Sequence, residues 1–315
     1  MPPPPIDPRI KLRHITCFLE VARLSSVVKA ADMLNISQPA VSKTIQELEE
    51  LVGTALFDRS RRNLMLTPFG DVFYRYAGTS LAALRHGIDA VRQSSAVTTV
   101  KVGALPTVSA RILPAAVEAF SSQGPNTRAR IITGPNAYLL SLLRTGDVDL
   151  VIGRMAEPDA MLGFAFEHLY SERVVMVVRP GHPLLQEPEF DLSMIENYQT
   201  LMPTPDSVIR RSVDRMLFAN GITNLRANVE TVSNAFGRAY TRQTDAIWII
   251  SEGVVANDTA ERLLVTLPVD TGETVGPVGL TTRTDTTQSV AAASFMQAVR
   301  NAAAKLRGLN LVERI

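Results

Sequence analysis

The sequence predicts an α/β protein with an all-α winged helix-turn-helix at its N-terminus, a long linker helix, and a two-lobed domain behind it. Three observations carry this. Two short amphipathic helices meet at a tight polar break between Ser26 and Glu49. A run of apolar residues at helical spacing follows Thr67-Pro68. Short β-branched runs alternate with helices beyond Ser95. At 315 residues the chain is long enough for two domains, each able to bury its own core.

In the first segment Ala30 and Ala31 are small enough for a second helix to cross close by, and Val27, Leu34, Ile36, Val41, Ile45 and Leu48 supply the face to be buried. Ser37 stands where it can N-cap the second helix. Pro39 falls in its first turn, where a missing N–H costs nothing. The polar face then carries Ser37, Gln38, Pro39, Ser42, Lys43 and Gln46, side chains suited to donating to phosphates and reading base edges in a major groove. The same spacing is also met in an ordinary helical corner. A stop at Gly53 follows, then a short hairpin whose tip carries Arg59, Arg61 and Arg62 with no acid between them. These arginines either reach phosphates and an adjacent minor groove or simply decorate a solvated loop.

Thr67-Pro68 gives the next helix an N-cap and an N1 proline, and Phe69, Phe73, Tyr76, Ser80, Leu84, Ile88 and Val91 recur every three or four residues. Run to about Ser94, this helix spans roughly 40 Å, too long for a compact neighbour to cover. It wants a partner helix or serves as a rigid spacer. Residues 1–66 are therefore read as the winged domain, 67–95 as the linker and dimerisation helix, and 96–315 as an effector-binding domain.

Within 96–315, residues 99–105, 130–133 and 148–153 read as parallel strands, with helices over 108–120 and 137–143. A second sheet is expected from 173–178, 200–202, 228–232, 246–250 and 264–267, with helices near 208–219 and 234–242. The strand 278–282 and a last helix from Ser289 return to the first sheet. This makes one lobe of about 96–166 and 270–315 and another of about 167–269, a shape similar to a periplasmic binding protein and suited to closing on a small ligand. Ligands bind beyond the C-terminal ends of strands in such sheets. Four hydroxyl- or amide-rich helix starts stand there, and they nominate Thr107, Ser109, Asn136, Thr204, Ser207, Thr231 and Ser233. Free backbone N–H groups at these starts favour an anion, although each side chain can also be a plain N-cap. Arg154, directly after the strand 148–153, is the best-placed fixed charge for a carboxylate. Arg111, Arg210 and Arg238 are further candidates that can equally lie on exposed helix faces.

Lys and Arg number 32 against 31 acids, a net charge of +1, so affinity for nucleic acid must come from placement. No apolar run is long enough for a membrane span, and Met1-Pro-Pro-Pro-Pro-Ile lacks a signal core and reads as a disordered arm, so a cytoplasmic protein is expected. The lone Cys17 cannot form an internal disulfide and reads as a small buried hydrophobe in preference to a redox sensor. His14, His86, His168 and His182 are scattered. HExxH, CxxC, Gly-x-Ser-x-Gly, Walker and GxGxxG patterns are lacking, so neither an enzyme nor a metal or cofactor site is expected.

The order of Ala30-Ala31, Leu34, Ser37-Gln-Pro-Ala-Val-Ser42, Leu48-Glu49, Gly53, Leu56-Phe57, Arg59 and Leu66-Thr67 resembles the LysR-type transcriptional regulators. Segments 102–111, 166–172, 230–238 and 245–254 look most like the activators of the protocatechuate operon in soil proteobacteria. A regulator of a sugar-binding-protein gene shares part of this pattern. The resemblance implies a homodimer or homotetramer in which the long helix pairs antiparallel with its copy, a double-stranded DNA operator, and engagement of RNA polymerase. It also implies a small carboxylate effector, β-carboxy-cis,cis-muconate. The competing reading is a cytosolic ligand-binding module whose basic hairpin is incidental.

Overall fold

The computed structural model describes residues 7–59, 64–92, 98–122, 124, 127–223, 225, 229–284 and 286–312. The start of the expected N-terminal arm, the hairpin tip with Arg61 and Arg62, and the end of the linker around Ser94 lie outside the described residues. The chain divides into two compact units, Met1–Ala96 with Ser141–Val148, and Val97–Leu140 with Asp149–Ile315.

In the first unit α1 (Leu12–Leu24), α2 (Val27–Leu34) and α3 (Gln38–Val52) pack around Phe18, Val41, Ile45 and Leu48, all essentially without exposure. Burying side chains of this size stabilises by about 1.5–3 kcal/mol each. The Ser26 hydroxyl caps α2 by accepting from Lys29 N at 3.3 Å, and Ser37 caps α3 by accepting from Ala40 N at 3.4 Å. Between them Asn35 takes a left-handed φ of 54°, a conformation that asparagine tolerates better than most residues. Ile36, expected in the buried face, follows this turn and is 45% exposed. Strands β1 (Phe57–Asp58) and β2 (Met65–Leu66) pair antiparallel to form the wing. Thr67 accepts from Gly70 N at 3.0 Å and starts α4 (Pro68–Arg92), 25 residues long. A side chain at Gly70 would collide with the Leu56 carbonyl, so glycine alone fits where the helix leaves the wing.

Along α4 the apolar residues serve two faces. Phe73 stacks edge-on against Phe18, with ring centroids 5.1 Å apart, and so joins the helix-turn-helix core instead of the outer stripe. Phe69, Val72, Tyr76, Leu84 and Ile88 remain exposed.

The second unit has two lobes. Lobe I comprises β3 (Thr98–Ala104), α5 (Pro106–Arg111), α6 (Leu113–Ser121), β4 (Thr127–Thr133), α7 (Asn136–Thr145), β5 (Leu150–Arg154) and β6 (Phe164–Glu172). Lobe II follows with β7 (Val174–Val178), β8 (Thr200–Met202), α8 (Arg210–Ala219), β9 (Val229–Glu230), α9 (Asn234–Gln243), β10 (Ile247–Ser251), α10 (Glu252–Ala260) and β11 (Val265–Thr266). The chain returns through β12 (Gly276–Arg283) and α11 (Val290–Val312) to lobe I. The sheet orders are β4-β3-β5-β12-β6 and β11-β7-β10-β8-β9. Strand β3 is parallel to β4 and β5, and β12 is antiparallel to both its neighbours.

Three expectations are corrected. The helix expected over 108–120 is two helices, because Pro114 cannot continue a helix and instead stands in the first turn of α6. The lobe boundary falls at residue 173 instead of 167: β6 is an edge strand of lobe I whose Glu167 and His168 blur its apolar alternation. Helix α10 is additional, and its low amphipathicity reflects burial of Val254 and Val255 beside a glycine and polar residues.

Candidate functional site

Two groups of residues can do chemistry, one in each unit. On α3, Val41, Ile45 and Leu48 face the core, and this turns Gln38, Pro39, Ser42, Lys43 and Gln46 outward, all of them exposed. Ser37 is exposed at the head of the same helix. Lys43 makes no hydrogen bond or ion pair among the described residues, whereas Gln46 donates to Glu50 at 3.1 Å. One helix face thus offers a cation, two amides and hydroxyls to a partner, the donor and acceptor set that groove recognition needs.

The wing is tied to this helix by Glu49. Its carboxylate accepts from Leu56 N at 2.8 Å and Phe57 N at 3.1 Å, and its second oxygen accepts from Arg59 Nη2 at 2.9 Å. Arg59 stays largely exposed in this pair, so it is oriented without being used up. Glu49 is a positioning residue that the helical periodicity alone did not single out; its half-buried place opposite the first wing strand is a tertiary fact.

In the second unit a cavity of about 420 Å³ opens between the two lobes at the carboxyl ends of their strands. Lobe I contributes Leu105, Pro106, Ser109 and the turn Thr133 to Asn136. Lobe II contributes Pro203, Thr204, Asp206 to Val208, Thr231, Val232, Asn234 and Ile250. Of the residues nominated from sequence, Ser109, Asn136, Thr204, Ser207 and Thr231 come together here. Thr204 lines the cavity, and its buried Oγ1 has no hydrogen-bond partner among the described residues. Ser109 donates to the Leu105 carbonyl at 3.0 Å and keeps its lone pairs, while Thr231 accepts from Ser233 N at 3.0 Å and keeps its proton to give. Asn136 donates to the Arg154 carbonyl at 3.3 Å. Helices α7 and α9 both begin at this cavity, with their first residues Asn136 and Asn234 in its lining. Leu105, Val208 and Ile250 supply an apolar wall; Ile250, near the end of its strand, was reachable by the same strand-end rule that found the polar residues.

Three nominated residues do not line the cavity. Ser233 caps α9, accepting from Phe236 N at 3.2 Å. The Thr107 hydroxyl donates to the Glu172 carboxylate. Arg154 is buried, and its Nη2 donates to the carbonyls of Glu172, at 2.8 Å, and Thr274. Those carbonyls flank the two crossings between the lobes, so the expected anion clamp is a staple of the hinge. Strand-end position told which edge Arg154 occupies but not that its long side chain turns back to the crossover strands. Gly276 leaves the room it needs, since a Cβ there would lie 2.7 Å from Arg154 Nε. Burial pushes the Arg154 guanidinium below its usual range and the Glu172 carboxyl above its own.

Arg111, Arg210 and Arg238 are also engaged elsewhere. Arg111 lies 3.9 Å from both Glu172 and Glu252, Arg210 binds Glu230 and the Pro203 carbonyl, and Arg238 pairs with Asp258 at 2.7 Å. No Lys, Arg or His stands among the described residues that line the cavity. Backbone N–H groups and hydroxyls are therefore what it offers an anion.

Cys17 is buried, and desolvation pushes its thiol up to about 11, which keeps it protonated and unreactive at neutral pH. Among the described residues there is no metal-ligating cluster and no helix long and apolar enough to cross a membrane.

Comparison with known proteins adds sequence relationship to this geometry. The family model "Bacterial regulatory helix-turn-helix protein, lysR family" matches residues 12–71, and "LysR substrate binding domain" matches residues 93–304. The chain is 52% identical over 303 residues to the HTH-type transcriptional regulator PcaQ of Agrobacterium fabrum, spanning 96% of this chain and 97% of that protein. It is 35% identical over 294 residues to YdcI, an uncharacterized HTH-type transcriptional regulator of Escherichia coli, spanning 93% of this chain and 95% of that one. Among solved structures, a full-length OxyR variant from Pseudomonas aeruginosa aligns with a TM-score of 0.58 at 19% identity, over 92% of this chain and 95% of that one.

Proposed function

The chain belongs to the LysR family of transcriptional regulators, and from that premise we propose that it activates genes of protocatechuate catabolism when a small carboxylate occupies the cavity between its lobes. It is a regulator and not an enzyme. The observation that carries the ligand reading is the cavity itself: hydroxyls and amides from both lobes line it, Thr204 with no hydrogen-bond partner among the described residues is one of them, and two helices start beside it. Such a site holds an anion through neutral donors and gains in strength as the lobes close and water leaves. The resemblance to the protocatechuate-operon activators implies β-carboxy-cis,cis-muconate as the effector, and the 52% identity to PcaQ supports that placement within the family.

In this reading Gln38, Pro39, Ser42 and Lys43 meet the major groove of an operator while Arg59, Arg61 and Arg62 anchor flanking phosphates. The exposed stripe of α4 pairs with a second copy, so that two winged domains stand at a fixed spacing and the operator is two-fold. Effector binding then prefers one arrangement of the subunits in a dimer or tetramer, alters the bend of the DNA and lets RNA polymerase engage. Only a difference in ligand affinity between arrangements can drive such a shift.

The test is footprinting of the full-length protein on the DNA upstream of its own gene, at fixed salt, with and without β-carboxy-cis,cis-muconate. A protected two-fold site whose footprint shortens with the metabolite is expected. Protection that ignores the metabolite would leave the regulator and remove the effector.

A further inference from the structure

Asp206 is the one ionisable side chain among the described residues lining the cavity, and its charge is not neutralised from within. It sits in the turn that precedes α8 and makes no hydrogen bond or ion pair among the described residues. The nearest cations in sequence are committed: Arg210 to Glu230 and Asp214, and Arg211 to Glu157 at 3.5 Å. A site whose attractive groups are all neutral thus has a fixed negative charge in its wall.

We propose that Asp206 is a specificity-determining residue that lowers the affinity of the cavity for each negative charge on its ligand. The inference rests on the reading of this cavity as a carboxylate site. Hydroxyls and helix starts attract each carboxylate by a roughly constant amount, while Asp206 repels every additional one. The wall thus lowers affinity for every carboxylate without excluding the tricarboxylate proposed as effector, and the penalty grows with each further negative charge. For charges roughly 10 Å apart in an effective dielectric of about 80, as suits an exposed carboxylate, the repulsion weakens binding by about twofold per charge. Because Asp206 is exposed, salt screens part of this effect, and the penalty shrinks as ionic strength rises past the point where the Debye length falls below about 8 Å.

The experiment is calorimetric titration of the full-length protein and its Asp206→Asn variant with cis,cis-muconate and with β-carboxy-cis,cis-muconate, at low and high salt. Asn keeps the shape and removes the charge. At about twofold per charge, the variant is expected to bind the tricarboxylate about eightfold more tightly than the wild type and the dicarboxylate about fourfold more tightly, with both gains smaller at high salt. Asp206→Ser should move affinities in the same direction. Equal affinities in wild type and variant, or gains that do not depend on ligand charge or salt, would overturn the role of Asp206 while leaving the cavity reading intact. Weaker binding by the variant would overturn it too, because the Asp206 charge would then support the site instead of opposing the ligand. If neither ligand binds either protein, the carboxylate reading fails and this inference falls with it.

Discussion

In the proposed function single side chains carry the recognition chemistry of both units, and their roles separate by charge. Lys43, exposed on the outward face of α3, makes no ion pair among the described residues, so the phosphate contact proposed for it would be sensitive to counterion release. Lys43→Ala should weaken operator binding and lower the slope of log affinity against log salt by about one; a loss of discrimination at a single base with an unchanged slope would instead make it a guanine reader. His182 offers a pH-dependent counterpart in lobe II. It is fully buried, its Nδ1 accepts from Leu184 N at 3.2 Å, and its Nε2 donates to the Asp245 carbonyl at 3.1 Å. Those two bonds select the neutral ring, and burial lowers its pKa below the ordinary 6.5. The folded state therefore binds this proton less readily than the unfolded chain does. Stability from the neutral ring is present above pH 6.5 and drains away as pH falls through and below that value. Melting temperature should drop between about pH 7 and pH 5, and more steeply for the wild type than for His182→Gln. Parallel curves would remove His182 from the account.

At the scale of elements, α4 combines a helix end anchored in the winged domain with a stripe that finds no cover in the first unit. Phe69, Val72, Tyr76, Leu84 and Ile88 are all exposed along it, more apolar surface in line than a monomer usually leaves to water. A charge placed in that stripe, as in Leu84→Glu or Ile88→Glu, should shift the protein toward monomers in light scattering at micromolar concentration and weaken binding to a two-fold operator. Operator binding by a single protomer, with unchanged mass for these variants, would contradict the pairing. Much of this level was legible in sequence because local signals agreed: Ser37 and Thr67 as caps, Gly53 as a stop, and prolines at helix starts. Where competing local signals met, the reading failed. Pro114 split a helix whose apolar periodicity ran straight through it, and β6 was hidden by the charged residues of an edge strand. Phe73 joined the core although its spacing also fits the outer stripe, because neighbouring positions on a helix cover adjacent faces.

For the molecule as a whole, the strand-end rule located the cavity from hydroxyl-rich helix starts, since backbone topology decides where strands end and helices begin. It did not distinguish the side chains that enter the cavity from those that build its frame. Thr107, Arg154 and Glu172 form a buried polar hinge next to the site, held by Thr107 to Glu172 and by Arg154 to the carbonyls of both crossings. Long side chains reach across elements, and no periodicity encodes where they land. Arg154 fixes the crossings, and in the proposed function α7 and α9 offer N–H groups and Thr204, whose hydroxyl has no partner among the described residues, binds the ligand. The most direct test of the central claim is the concentration of β-carboxy-cis,cis-muconate that half-converts the operator footprint, measured for the wild type and for Thr204→Val. Losing one hydroxyl that bonds the ligand should raise that concentration about tenfold. An identical midpoint for the two proteins would mean that the cavity between the lobes is not where the signal enters.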